Sequence, residues 1–313
     1  MKIFITGATG FIGKNLVKRL EPKGHEIFCL VREKSNIDHL RTMNVTLVTG
    51  DITDFECIKK HFNEIKPDRV FHCAAKVMSE NQKELYAHNV RGTQNICEVS
   101  YLFGVKRLVY LSSVSVVSGN TEVPITDELK YKSSNRYGDS KIDAECLVAG
   151  YRNRGLPCAI IRPCMVYGED EKHMMNKVLL NISRHRIFLP VTPRMFSRLN
   201  LVYIDNVIDV MEIAMERNEA LNGTFIVADT EIITIRKFFD ILYDEMDGST
   251  PPIIPERIFN FLMIIPLFRK KANKYLKDRV YDISRLRNVL NYIPKVRTEE
   301  GLRRIVRAWK NRG

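Results

Sequence analysis

The sequence predicts an α/β protein built on a doubly wound parallel sheet with a smaller C-terminal lobe. Three observations carry that expectation. Short, nearly continuous apolar runs alternate with amphipathic stretches through the first half of the chain, the pattern of strands buried on both faces by helices. The first strand runs directly into Thr6-Gly7-Ala8-Thr9-Gly10-Phe11-Ile12-Gly13, which opens a helix. From about Cys164 the alternation gives way to Pro-containing segments and longer helical patterns, with a return to sheet near 201–227.

The β-branched runs place strands at 2–6, 26–31, 45–49, 69–73, 107–112, 159–162 and 223–227. Between them, apolar residues recurring at three and four place helices at 13–20, 55–65, 90–103 and 140–151. No internal repeat or low-complexity segment interrupts the series. The expected division is a core of 1–163 rejoined by 200–228, and a substrate-side lobe of 164–199 with 229–313.

A chain of 313 residues with 45% hydrophobic and 27% charged residues is globular in composition, which excludes disordered and collagenous classes. Its net charge of 49 − 37 = +12 is uneven. Residues 256–313 hold 16 Lys/Arg against 5 Asp/Glu, so the rest is nearly neutral. A basic tail is not a wrapping surface for nucleic acid, and none is expected as a partner. Seven cysteines without a CxxC pair fit reduced thiols, and no Cys/His spacing suggests a metal. The opening Met-Lys-Ile-Phe-Ile is a strand rather than a charged-then-apolar leader. No apolar run nears the roughly 18 residues of a membrane span. The cytoplasm is the expected compartment.

Glycines at 7, 10 and 13 suit a tight turn, close approach of backbone to a pyrophosphate, and close helix–strand packing. The helix N-terminus behind them offers unpaired N–H groups to phosphate. A dinucleotide site over Gly7, Gly10, Phe11, Ile12 and Gly13 follows. The second strand ends at Val31-Arg32, where an acidic residue would usually hold the adenosine ribose of NAD; Arg32 instead suits a 2′-phosphate and favours NADP. After the third strand, Asp51 in Gly50-Asp51-Ile52 could accept from the adenine amino group or cap the helix that follows.

The strand 107–112 delivers Ser112 and Ser113 at its carboxyl end, where open α/β sheets bind ligands. Downstream, Tyr137 and Lys141 stand four apart on a helix and so share a face. A phenol with a reference pKa of about 10 is a poor base at neutral pH. A neighbouring ammonium and an oxidised nicotinamide are expected to lower it. Ser113 would then orient a substrate oxygen while Tyr137 exchanges its proton.

With these motifs in order, the chain resembles the extended short-chain dehydrogenase/reductase family, the NAD-dependent epimerase/dehydratase group. The resemblance covers nearly the whole chain. It rests on Gly7 to Gly13, Gly50-Asp51-Ile52-Thr53-Asp54, Val70-Phe71-His72-Cys73-Ala74-Ala75, Asn89-Val90-Arg91-Gly92-Thr93 and Leu111-Ser112-Ser113. It continues through Tyr137 to Lys141, Arg162-Pro163, Val166-Tyr167-Gly168 and Leu201-Val202-Tyr203-Ile204-Asp205-Asn206. It implies a Rossmann core, NAD(P), and a Ser113/Tyr137/Lys141 catalytic set in which Lys141 also holds the nicotinamide ribose. It further implies cofactor contacts from Ile52, Ala74, Ala75, Lys76, Asn89 and Pro163, with Ser112 the fallback for Ser113, and a homodimer.

The substrate is a small molecule. Sugar-type substrates, nucleotide- or lipid-linked, lead, through epimerisation or reduction at a secondary alcohol or ketone. Two departures point instead to a hydroxysteroid dehydrogenase or dihydroflavonol reductase type of NADP-dependent reductase. Met165 stands near where many sugar-nucleotide enzymes place an Asn, and Arg32 suits diffusible NADPH. Val114 and Ser115 after Ser113 argue against dehydration. A non-catalytic cofactor-binding protein is the rival from another class. Finally, Ile258-Phe259-Asn260-Phe261-Leu262-Met263-Ile264-Ile265-Pro266-Leu267-Phe268 precedes Arg269-Lys270-Lys271, Lys274 and Lys277. The span 258–277 reads either as a core-packing helix pair or dimer face, or as a peripheral membrane contact.

Overall fold

The computed structural model describes residues 1–77, 79, 81–171, 174–184, 196–248, 255–266, 268–269 and 277–312. Strand and helix alternate from the start as β1 (Lys2–Thr6), α1 (Phe11–Leu20), β2 (Glu26–Val31), a short α2 (Asp38–Arg41), β3 (Thr46–Thr49), α3 (Phe55–Ile65) and β4 (Arg69–His72). Next, α4 (Gln82–Tyr86) passes through a π-helical turn, Ala87–Arg91, into α5 (Gly92–Leu102). Then come β5 (Arg107–Leu111), α6 (Arg136–Asn153) and β6 (Cys158–Pro163). The remainder holds β7 (Met165–Tyr167), α7 (Met174–Ser183), β8 (Arg198–Leu199), β9 (Leu201–Tyr203), α8 (Ile204–Glu216) and β10 (Thr224–Val227). It ends with β11 (Ile233–Thr234), α9 (Ile235–Glu245), α10 (Glu256–Leu262), α11 (Ser284–Leu290) and α12 (Thr298–Lys310).

Seven strands pair in the order β10-β6-β5-β4-β1-β2-β3, and every pairing is parallel. Alternate residues of each strand feed two cores. Ile3, Ile5, Val109, Ala159 and Ile161 join one; Phe4, Leu108, Tyr110, Cys158 and Ile160 join the other. Both faces are therefore covered, which is why the strands read as continuous apolar runs. Chain order reverses between β1 and β4, opening a crevice at the carboxyl ends of the strands, where ligands sit in such sheets.

β10 re-enters the sheet at its β6 edge, with Phe225 opposite Ile161. The strands of the C-terminal part are brief: β7 with β9, and β8 with β11. A buried carboxylate ties these pieces together. Asp229 accepts from the Tyr203 amide, Asn206 Nδ2, the Tyr167 hydroxyl and Thr298 Oγ1.

Much of the charge of the basic tail is met by ion pairs. On α12, Arg303 pairs with Asp244, Glu245 and Glu299, Arg307 with Glu245, and Arg304 with Glu300. All seven cysteines are free thiols, four of them buried. No helix among the described residues is long and apolar enough to cross a membrane.

Candidate active site

The glycine turn is dictated by space. Gly7 has φ +74°, and a Cβ there would meet the Ala74 amide nitrogen at 2.6 Å. At Gly13 a Cβ would lie 2.2 Å from the Gly7 carbonyl oxygen. Gly10 supplies the N-cap of α1 without a side-chain bond, leaving the helix N–H groups open toward the crevice. The groove beside this turn is walled by Gly7, Gly10, Arg32, Ser35, Asp51 and Ile52, and farther along by Cys73, Ala74, Ala75 and Lys76. Phe11, Ile12, Asn89 and Pro163 do not form its walls.

Asp51 does not cap a helix. Its Oδ1 accepts from the Thr53 amide at 2.9 Å and from Thr53 Oγ1 at 2.8 Å, and these bonds hold its carboxyl below the usual range despite partial burial, which acts the other way. The cap of α3 is Asp54, which accepts from the Cys57 amide at 3.0 Å. Among the described residues, Asp51 is left at the groove as the one carboxylate of its walls.

Asn89 acts behind the wall. Its side chain, 1% exposed, accepts from the Lys76 amide at 2.7 Å and donates to the Lys76 carbonyl and to Ser140 Oγ, each at 2.9 Å. Ser140 Oγ in turn donates to the Tyr137 carbonyl at 2.8 Å. The loop after β4 is thereby tied to the helix bearing Tyr137. A second buried chain sets the same loop. Thr93 Oγ1 donates to the Asn89 carbonyl at 2.6 Å, so it accepts from His72 Nε2 at 3.0 Å. His72 Nδ1 then accepts from Thr6 Oγ1 at 2.7 Å, and Thr6 Oγ1 accepts from the Ala74 amide at 3.2 Å. One histidine tautomer satisfies every bond. Burial pushes His72 down to about 3, so it stays neutral.

The Ser113 hydroxyl lies close enough to the Tyr137 phenol to act on it. Ser113 caps the short turn after β5, accepting from the Ser115 amide at 3.1 Å. Ser112 points elsewhere: it donates to Glu145 and is 4% exposed. Ser113, not the fallback, faces the phenol.

Lys141 is 1% exposed. Its Nζ donates to the Leu111 carbonyl at 2.8 Å and lies 4.2 Å from the centre of the Tyr110 ring. Burial pulls it down to about 7, opposed by the nearby Glu145 carboxylate. The expected lowering of Tyr137 is not found in the protein alone. Desolvation of its phenol pushes it up to about 12, with only the Ser113 hydroxyl acting the other way. The Lys141 ammonium is turned to the Leu111 carbonyl, and the positive charge of an oxidised nicotinamide would favour the phenolate.

Sequence reasoning missed the cluster under the serine. Glu145, one turn beyond Lys141, is fully buried and receives Arg162 through Nε at 3.0 Å and Nη2 at 2.6 Å, with the Tyr131 hydroxyl at 2.8 Å. Arg162 Nη1 also donates to the Asp127 carbonyl at 3.0 Å. The signal was present: Glu145 stands eight residues after Tyr137, on its face of the helix.

The chain is similar to known proteins. The family model described as the NAD dependent epimerase/dehydratase family matches residues 3–228. A UDP-glucose 4-epimerase of Vibrio cholerae is 30% identical over 323 residues, covering 98% of this chain and 95% of the relative. A 3-beta-hydroxysteroid dehydrogenase of Mycolicibacterium neoaurum is 31% identical over 227 residues, 69% of this chain and 61% of its own. Among solved structures, a UDP-glucose 4-epimerase of Thermotoga maritima with UDP-glucose superposes with a TM-score of 0.83 at 22% identity, covering 100% and 99% of the two chains.

Proposed function

The chain belongs to the NAD-dependent epimerase/dehydratase family and is an oxidoreductase of the extended short-chain type; from that premise we propose how its residues work and on what. Tyr137 is the proton donor and acceptor, Ser113 orients the reacting oxygen, and Lys141 holds the nicotinamide ribose. The single observation supporting these roles is the closeness of the Ser113 hydroxyl to the Tyr137 phenol at the carboxyl end of β5, with Lys141 one turn further along α6. NAD(P) lies across the glycine turn, against Gly7, Gly10, Gly13, Asp51, Ile52, Ala74, Ala75 and Lys76. The bound nicotinamide supplies the hydride chemistry; Tyr137 delivers or takes the hydroxyl proton, and Ser113 keeps the oxygen within its reach.

The substrate is a secondary alcohol or ketone on a nucleotide- or lipid-linked sugar, a reading supported by similarity to the Vibrio epimerase along nearly the whole chain. A second reading, an NADP-dependent reductase of the hydroxysteroid or dihydroflavonol type, has its own support. Arg32 and Ser35 line the groove where no carboxylate follows β2 directly, an arrangement suited to a 2′-phosphate. The protein acts as a homodimer in the cytoplasm, its core spanning 1–163 with 200–228 and its substrate lobe the remainder.

Two measurements test this. Tyr137→Phe is expected to abolish hydride transfer while cofactor affinity stays within about twofold, as removal of a group acting only in the transition state should. A variant that keeps turnover refutes the assigned role. Nucleotide released from the purified protein separates the substrate readings: retained NAD supports hydride return within one site, and an empty site preferring NADPH supports the reductase.

A further inference from the structure

The α10 segment is poorly accounted for by internal packing. Of α10, only Phe259 is buried, where it meets Phe268 edge-on at 6.0 Å between ring centres. Around that anchor Ile258, Phe261, Ile264 and Ile265 are 51%, 68%, 72% and 47% exposed. Single exposed apolar residues are ordinary, but four large ones on consecutive turns form a patch that implies a partner. The core-packing reading of this stretch is therefore overturned for its described residues; Leu267, Lys270, Lys271 and Lys274 lie outside them.

The surrounding charge is mainly positive: Glu256 opens α10, but the sequence from 257 to 277 carries Lys and Arg and no Asp or Glu. Arg257, Arg269 and Lys277 are exposed, and none is seen in an ion pair among the described residues. That sets them apart from the cations of α12, which are paired with Asp and Glu. We propose that α10 and the turn after it, through Ile265, form a peripheral docking surface for an anionic lipid bilayer. The apolar side chains enter the headgroup–acyl boundary and the flanking cations pair with acidic headgroups. The segment is too short to span, so it lies on the membrane. A second copy of the chain is a poorer occupant, because a two-fold contact across this patch would bring two sets of Arg257 and Arg269 together with only one Glu256 on each side to offset them. The proposal does not rest on the reading of the Ser113 and Tyr137 site.

The test is co-sedimentation of the full chain with phosphatidylcholine vesicles, with and without phosphatidylglycerol. Binding is expected only with the anionic lipid and is expected to weaken with salt. Phe261→Ser with Ile264→Ser should lower the partition coefficient by more than about tenfold through lost apolar burial. Arg257→Gln should lower it roughly fivefold. Both variants should keep the thermal midpoint and hydride transfer of the parent, since the altered side chains face solvent. Absence of binding at low salt, or equal binding to neutral vesicles, overturns the proposal. So does a serine variant that binds vesicles unchanged but shows a lower mass by light scattering, which would make the patch a contact between copies.

Discussion

Replacing Lys141 with Met tests the electrostatics of the site without any substrate. The ammonium is buried between the Leu111 carbonyl and the Tyr110 ring, and desolvation lowers it from 10.5 to about 7. For a base whose folded pKa is depressed, the unfolded chain binds more protons throughout the window between the two values. Stability therefore rises with pH across that window, and the penalty for burying the charge is full below about pH 7. With those two values, Lys141 should add about 1 kcal/mol of unfolding free energy between pH 7 and pH 8, and about 2 kcal/mol between pH 7 and pH 9. Thiols such as Cys29 and Cys73, both raised to about 12 by desolvation, oppose this near pH 9. The informative quantity is therefore the difference between parent and Lys141→Met, in which the thiols cancel. Urea unfolding of the cofactor-free proteins at several pH values measures it. The variant should be relatively more stable at pH 7, and its advantage should shrink by about 1 kcal/mol at pH 8. Parallel curves would mean that the ammonium is not desolvated and that the geometry assigned to it is wrong.

Glu145→Gln leaves Arg162 buried without its carboxylate and should cost about 3–5 kcal/mol, read by urea or thermal unfolding; a loss below about 1 kcal/mol would contradict the closed pair. Gly13→Ala puts a Cβ against the Gly7 carbonyl, where only backbone could yield. It should abolish nucleotide binding by fluorescence titration, and normal affinity would place the dinucleotide elsewhere. Asp54→Ala removes the side-chain cap of α3 and should lower stability by about 1 kcal/mol, whereas Asp51→Ala should spare α3, as hydrogen exchange along the helix would report.

The sequence disclosed most where one physical rule acted alone. The helix 55–65 was read to the residue because a short-period apolar stripe, Ile58, Phe62 and Ile65, faces the core. The strands 2–6 and 26–31 were equally plain, being buried along nearly their whole length. The helix bearing Tyr137 was read four residues short at its start. Its inward face is Gly138, Ser140, Lys141, Ala144, Glu145, Val148 and Tyr151, mostly polar over the first turns, so an apolar period could not mark it. Asn135, whose side chain accepts from the Gly138 amide at 2.9 Å, was the available start signal. Beyond Cys164, β10 apart, the strands are two or three residues long, too few for alternation to register. What organises that region is Asp229 and its four donors, a contact set spread from 167 to 298 that no local pattern encodes.

The same polar inward face explains why the site can be assembled before any ligand arrives. An apolar α6 would pack equally well in several small rotations against β5 and β6. The bonds from Ser140 to Asn89, Glu145 to Arg162 and Ser112, and Lys141 to Leu111 each accept one rotation only. Buried polar groups left unpaired are costly, so a slip of α6 would break several bonds at once. Tyr137 sits at the first turn of that helix, and its position against Ser113 follows from the three anchors behind it. A substitution at Asn89, which touches neither serine nor phenol, should therefore loosen the Tyr137 end of the helix as well as the loop at Lys76. Amide exchange at 136–141 in Asn89→Ala is expected to quicken while that of β5 stays unchanged, and equal protection in both proteins would show that the helix is held by its apolar contacts alone.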